Sequence, residues 1–229
     1  YSFSAKQERA GISSVYAYNK GSFNINAAYS DYNSDSRSAF PSTFAARNLV
    51  VDAFNKYNFD DRFYAVVGLN YIDDTADLEE DENFTIIDPY VNLVYVSDFG
   101  FNLNAGGRFN NHSEYGNNMV YNVNPSFVLK TNEGYLKLLA SYATSYITPN
   151  LTQLFGAFGA NPDLEPEEDR TIEGGVEYLK NKELRLSALY FNRKEENFIT
   201  FDPVTFGSIN AENTIDAQGV EVELDWHPI

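Results

Sequence analysis

Apolar and polar residues alternate one for one over stretches about ten residues long, from one end of the chain to the other. In SFNINAAYS, Phe23, Ile25, Ala27 and Tyr29 fall on one side and Ser22, Asn24, Asn26 and Ser30 on the other. In FNLNAGGRFN, Phe101, Leu103, Ala105 and Phe109 oppose Asn102, Asn104, Arg108 and Asn110. In GVEVELDW, Val220, Val222, Leu224 and Trp226 oppose Glu221, Glu223 and Asp225. Successive side chains of a strand point to opposite faces, so each run reads as a strand with one apolar and one polar face. Helical periodicity is weak throughout. The pattern predicts strands at 8–18, 22–32, 44–56, 62–73, 86–96, 101–111, 119–129, 135–146, 169–179, 184–194 and 214–226. Such strands are long against the usual five or six residues of globular sheets.

The connections are more specific still. Those at 19–21, 58–61, 97–100, 130–134 and 180–182 are short and rich in Asn, Asp, Gly and Lys, as tight turns require. Between them lie long links at 33–43, 74–85, 112–118, 147–168 and 195–213. Strict alternation of short and long puts every tight turn of an up-and-down meander at one end and every long loop at the other. Transmembrane β-barrels have that anatomy. A soluble sandwich or lipocalin-like barrel also alternates apolar-in and polar-out. Against it stand the strand length, the rhythm of the connections, and aromatics near strand ends: Phe23, Tyr29, Phe63, Tyr71, Phe101, Phe109 and Tyr178. Eleven strands with bulky residues turned inward would also enclose a lumen too wide to fill, and an open sheet would expose two edges that closure avoids.

Composition agrees. Seventeen tyrosines and eighteen phenylalanines suit surfaces where apolar matter meets water. No stretch approaches the roughly 18 consecutive apolar residues of a membrane helix, whereas a membrane strand needs only about 9–11 residues, half of them apolar. A net charge of −17 repels a phosphate backbone and argues against a nucleic-acid partner. With no cysteine there is no disulfide framework and no thiolate chemistry. The sequence opens at Tyr1 without an initiator methionine or signal peptide and stops at DWHPI, just after a strand-like run. It reads as a piece of a longer protein that supplies the remaining strands.

One segment carries a family resemblance. SYATSYITPNLTQLFGAFGANPDLEPEEDRTIEGGVEY, residues 141–178, resembles the signature of the TonB-dependent outer-membrane receptors. An up-strand ending in Tyr-x-x-x-(Tyr/Phe)-x-x-Pro is matched by Tyr142, Tyr146 and Pro149, followed by Asn150, Leu151, Leu154, Phe155 and Gly156. The Asn-Pro-x-Leu-x-Pro-Glu element is matched by Asn161, Pro162, Leu164, Pro166 and Glu167, and the next strand by Glu173, Gly175 and Glu177. ENTIDAQGVEVE resembles a later strand of the family through Asn213, Gly219, Val220 and Glu221. These motifs lie in the last third of the chain; the rest matches by barrel pattern alone. The run TSYITPNLTQLFG is most similar to the cobalamin transporters. The aromatic residue usual at the family's C-terminus is absent, the chain ending at Ile229.

The resemblance implies an all-β, transmembrane, antiparallel up-and-down β-barrel in the bacterial outer membrane, here about 11 of an expected 22 strands, with residues 1–229 part of the barrel domain. It implies an N-terminal plug, absent from this sequence, through which TonB energises uptake of cobalamin or a related corrinoid. No enzyme is expected, and no catalytic residue is assigned. A ferric-siderophore receptor of the same fold is the nearest rival, although acidic loops suit an anionic chelate poorly. A passive porin would lack the Asn-Pro-x-Leu-x-Pro-Glu element, and a non-transporting adhesin or platform for a surface lipoprotein would not internalise a ligand. Outer-membrane lipid and such a lipoprotein join TonB and the corrinoid or siderophore ligand among the expected partners.

Site residues follow from chemistry and family together. Pro162 and Pro166 fix their own backbone angles and keep Asn161 and Glu165 out of helix, giving a stiff entry to the next strand. On that strand Ile172, Gly174, Val176 and Tyr178 should face lipid, because charge on a lipid face is destabilising, leaving Thr171, Glu173, Gly175 and Glu177 for the lumen. Family likeness makes Glu173 and Glu177 the carboxylates that meet plug arginines; solvated carboxylates without partners are the plainer alternative. Asn150, Gln153, Leu154, Phe155 and Phe158 offer a mixed apolar and amide surface for a large ligand, or could pack against neighbouring loops. The acidic run Asp73, Asp74, Asp77, Glu79, Glu80, Asp81 and Glu82 contains hard oxygen ligands. Asp73, Asp74, Asp77 and Asp81 are therefore weak candidates for calcium, which the cobalamin transporters use, although the spacing is not that of an EF-hand and a solvated loop explains the run better. His112, expected in a long loop, and His227 have no second metal-binding partner nearby in sequence.

Overall fold

The computed structural model describes residues 2–39, 41–78, 81–156, 158–181 and 183–227; the side chain of Asp81 is outside that description. Eleven strands form one sheet: β1 (Ser2–Tyr18), β2 (Gly21–Arg37), β3 (Ser42–Asn58), β4 (Phe63–Asp77), β5 (Asp81–Val96), β6 (Phe101–His112), β7 (Gly116–Thr131), β8 (Gly134–Ile147), β9 (Glu167–Lys180), β10 (Leu184–Glu196) and β13 (Ile215–Trp226). Every strand pairs antiparallel with its neighbour in sequence, except that β10 pairs with β13 across a two-stranded hairpin of β11 (Ile199–Asp202) and β12 (Gly207–Asn210). The one helix among the described residues, α1 (Leu151–Phe155), lies between β8 and β9. None is long and apolar enough to cross a membrane.

Register carries each face of the alternation across the sheet. Leu138, Val176, Ala188 and Val222 stand in one cross-strand row, and Lys137, Glu177, Ser187 and Glu223 in the neighbouring row on the opposite face. The apolar face has nothing packed on it: Val67 is 57 % exposed, Leu138 47 % and Val222 68 %. A soluble sandwich buries that face, so these exposures decide against one. Aromatics border the apolar face at two levels. Towards the tight turns, Tyr57 meets Phe59 (5.0 Å), Phe59 stacks on Phe63 (4.8 Å), and Phe99 approaches Phe101 and Phe127 (6.4 Å each). Towards the other end stand Tyr71 and Phe109, with Tyr121 stacked on Tyr142 at 5.7 Å. Phe63 and Tyr71, like Phe101 and Phe109, are separated by eight steps of roughly 3.3 Å each, a length comparable to the ~25 Å apolar band of a membrane barrel.

The opposite face is a wall of amides and charges tied by its own bonds. Tyr90 donates to Asp52 (2.9 Å), Asn110 to Asp88 (2.9 Å) and Ser141 to Asn124 (2.7 Å), and Arg108 lies 3.6 Å from Asp88. Two prolines sit inside strands, and the ladder is interrupted at each. Pairing of β5 with β6 skips from Ile87 to Tyr90 around Pro89, and pairing of β7 with β8 skips from Val123 to Ser126 around Pro125. A proline has no N–H to give the ladder.

The strands outrun the sequence expectation, at 12–17 residues for the eleven of the main sheet. Three of the expected long links, 33–43, 74–85 and 112–118, shrink to connections at 38–41, 78–80 and 113–115. Beyond the apolar band a strand is wetted on both faces, so its ladder continues without any hydrophobic period to betray it. Only 148–166 and 197–214 are long, and they contain α1 and the β11–β12 hairpin.

Candidate ligand-binding site at the loop end

Loop 148–166 folds back onto the polar face of the sheet. Its helix is fixed by a capping box: Asn150 Oδ1 accepts from the Gln153 N–H (2.9 Å), and Gln153 Oε1 accepts from the Asn150 N–H (2.9 Å). That turn aims Leu151 and Leu154 at Ala76 and Phe84 on β4 and β5, and Leu164 joins them. The cluster is the largest buried apolar assembly among the described residues; Leu154 and Leu164 are each 2 % exposed. Phe155 packs on its edge, 6.5 Å from Phe84. Tyr115 closes it from the 113–115 turn, donating to the Leu164 carbonyl at 3.1 Å, and burial pushes its hydroxyl up to about 12.

The Asn-Pro-x-Leu-x-Pro-Glu element acts as a clasp. Asn161 Oδ1 accepts from the Asp163 N–H (3.0 Å), and its Nδ2 donates to the Ser208 carbonyl (3.0 Å) on β12. Asn210 answers from the hairpin: its Nδ2 donates to the Glu165 carbonyl and its Oδ1 accepts from the Glu165 N–H, both at 2.8 Å. Glu167 accepts from the Ile199 N–H at 2.7 Å, and the Ser208 N–H donates to the Gly159 carbonyl at 2.8 Å. Pro162 lies exposed in the turn, and Pro166 leads into β9. The two long loops are therefore one unit. The hairpin's part was not read from the sequence, although the Asp-Pro pair at 202–203 with Gly207 marks a turn.

Beside residues 148–152 of the first loop is a cavity of about 370 Å³ on the polar face, walled by Tyr32, Asn48, Asp74, Phe84, His112 and Asn150 among others. Arg47 lies at its edge, 3.9 Å from Asp77. His112 ends β6 rather than lying in a loop, and is 2 % exposed. Its Nδ1 accepts from the Glu114 and Tyr115 N–H groups (3.1 and 3.4 Å), which places the proton of the neutral ring on Nε2.

Among the residues expected to bind ligand, Asn150 lines the cavity while its side chain caps α1, Gln153 completes the cap, Leu154 is interior, and Phe155 is part-buried beside it. Phe158 stands apart at 76 % exposure. Both glutamates of β9 lie on the polar face. Glu177 accepts from Tyr135 (2.5 Å) and is ion-paired with Arg185 (2.9 Å). Glu173 makes no hydrogen bond or ion pair among the described residues. The acidic run does not gather. Asp73 and Asp77 share one face of β4, Asp74 points to the other and accepts from Asn48 at 2.5 Å, and Asp77 faces Asp81 in register. Glu79, Glu80, the Asp81 side chain and Ile229 are outside the described residues. No group of three or more metal-binding side chains occurs among those described.

The family model for the TonB dependent receptor-like β-barrel matches residues 1–227. The chain belongs to the TonB-dependent receptors. It lies in the bacterial outer membrane, and its family is one of receptors and transporters rather than enzymes. Among solved structures, the siderophore receptor PirA from Pseudomonas aeruginosa superposes with a TM-score of 0.83 at 21 % identity, covering 96 % of this chain and 44 % of that one. A variant of the ferric enterobactin receptor PfeA from the same organism gives 0.81 at 17 %, covering 96 % and 41 %. The hemophore receptor HasR of Serratia marcescens, in complex with its hemophore HasA and heme, gives 0.77 at 16 %, covering 99 % and 47 %. At such identities the likeness shows the fold alone, and none of these three is a cobalamin transporter. The chain spans less than half the length of each. The apolar face of this TonB-dependent receptor is thus its lipid face, the polar face its lumen, and the loop end its extracellular end.

Proposed function

We propose that this barrel serves TonB-energised uptake of a large metal chelate of low net charge, with a corrinoid such as cobalamin as the leading substrate. One observation carries the reading: connections 148–166 and 197–214, which form a single unit over the lumen, hold four acids and no Lys, Arg or His. A polyanionic ferric catecholate would be repelled there, whereas a neutral ligand rich in amides would not be. A siderophore receptor is the second reading, favoured by the relatives named above. Asn150, at the cavity wall, is the ligand-facing candidate, with Gln153 and Leu154 holding its turn in place, while Phe155 packs on the apolar cluster. Glu173, free on the lumen wall, is the better candidate to meet an arginine of a plug, because Glu177 is already engaged by Tyr135 and Arg185. Transport needs no chemistry on the substrate: loops and plug bind it, and TonB-driven rearrangement of the plug admits it. The test is accumulation of radiolabelled cyanocobalamin by cells carrying the full-length receptor, with and without TonB. Accumulation that requires both is expected; TonB-independent entry would favour a passive channel.

A further inference from the structure

We propose that His112 is a pH-sensitive latch: its neutral ring holds the 148–166 loop against the lumen wall, and uptake of a proton releases the loop. The ring is buried between Phe84 of β5 (4.9 Å between centroids) and Tyr115 of the 113–115 turn (5.1 Å), and it shares a cavity wall with Thr148, Pro149 and Asn150 of the loop. A chain of hydrogen bonds runs from ring to loop. Nδ1 accepts from the Glu114 and Tyr115 N–H groups (3.1 and 3.4 Å), which sets the turn, and the Tyr115 hydroxyl donates to the Leu164 carbonyl (3.1 Å). Leu164 in turn packs with Leu151 and Leu154 on Ala76 and Phe84. A proton on Nδ1 removes that acceptor and sets an N–H against two N–H donors. No acceptor rewards the cation at its other end, because Nε2 has no hydrogen-bond partner among the described residues. The charged groups around the ring are Glu114 on the turn, Asp74 on β4 and Arg47 at the cavity edge. Asp88 on β5 is already paired with Arg108, and loop residues 148–152 carry no ionisable side chain. Glu114 and Asp74 favour the cation, but burial outweighs them. His112 stands three residues beyond Phe109, outside the membrane-spanning part of β6, and burial pushes its pKa below the ordinary value of 6.5. A histidine depressed in this way stabilises the closed loop fully above 6.5 and loses that contribution as pH falls from there towards its own lower value. Carboxylates of ordinary pKa titrate lower, and the other histidine, His227, lies beside the tight turn at 181–183. The latch needs only the fold and does not depend on which chelate is carried.

The test is hydrogen exchange of the full-length receptor in detergent from about pH 5 to about pH 8, read as protection factors against intrinsic exchange rates. The amides followed are those of Leu154, Gly156, Asn161 and Leu164, which bond within the loop. Their protection should be level above about pH 7 and fall by up to about tenfold per unit below about 6.5, as one proton taken up on opening requires. His112→Asn keeps a side-chain acceptor for the N–H groups two and three residues on, without a titrating group. Its protection should match the wild type at neutral pH and stay flat into the acid range. His112→Ala, lacking the acceptor, should be less protected at every pH. Amides of β6 and β7, followed in the same experiment, show that each variant barrel is folded. Level protection across the range in the wild type, an equal acid fall in His112→Asn, or wild-type protection in His112→Ala would overturn the proposal.

Discussion

Leu154 shows how one side chain is pulled between two roles that its sequence position does not separate. In the run Leu154–Phe155 an apolar side chain can meet a ligand or meet the protein, and the pattern of neighbours is the same in both cases. The capping box decides, because it orients α1 so that Leu154 packs with Ala76 and Phe84 while Asn150 stays at the cavity wall. Replacing Leu154 by Ala removes a buried side chain from a small cluster and should destabilise the loop by about 2–5 kcal/mol. Limited proteolysis should then cut within 148–166 while the barrel keeps its melting temperature. Asp202 gives a second prediction at this scale. The N–H groups of Val204 and Thr205 and the Thr205 hydroxyl hold its carboxyl below its ordinary value of 3.8. A carboxylate depressed in the folded state stabilises the turn above that value and loses the contribution as pH falls through its own lower one. The protection factors of the Val204 and Thr205 amides, taken against their intrinsic exchange rates, should therefore fall as pH drops below that value, and in Asp202→Asn that dependence should vanish.

At the scale of elements, the strands were legible where lipid makes them so. The row Phe63, Ala65, Val67, Leu69 and Tyr71 along one face names β4, but nothing comparable announces that β4 runs on through Asp73 and Asp77 to meet β5. Outside the membrane the ladder alone holds the pair, so polar residues that read as loop are strand. The loops reversed the difficulty. The Asn-Pro-x-Leu-x-Pro-Glu element was visible as a motif, while its partners Ser208 and Asn210 lie more than forty residues away and had no periodic signal. Gly159→Val should separate the loops, because a branched side chain fits neither the left-handed backbone nor the space against Phe206. Spin labels at 163 and 212 would report a broadened distance distribution. On β9 the two faces differ in tolerance. Val176→Arg puts a charge on the lipid face and should cost about 2–4 kcal/mol in folding measured by denaturant titration in vesicles, whereas Glu173→Gln on the lumen wall should be close to neutral.

For the whole molecule, β1 and β13 end the sheet without a further neighbour among the described strands. Free edges are not tolerated in hydrocarbon, so both must be paired in the membrane. The family supplies the answer in a closed barrel, of which this chain provides eleven consecutive strands with lipid outside and amides within. The joined loops carry four acids and no Lys, Arg or His, and the proposed cargo rests on that charge. The decisive measurement is calorimetric titration of the full-length receptor in detergent with cyanocobalamin and, separately, with a ferric tris-catecholate, each with and without calcium. Saturable binding of the neutral corrinoid, at least tenfold tighter than any binding of the polyanion, is the predicted result. Tight binding of the ferric catecholate with none of the corrinoid would contradict it, and would make this barrel a siderophore receptor.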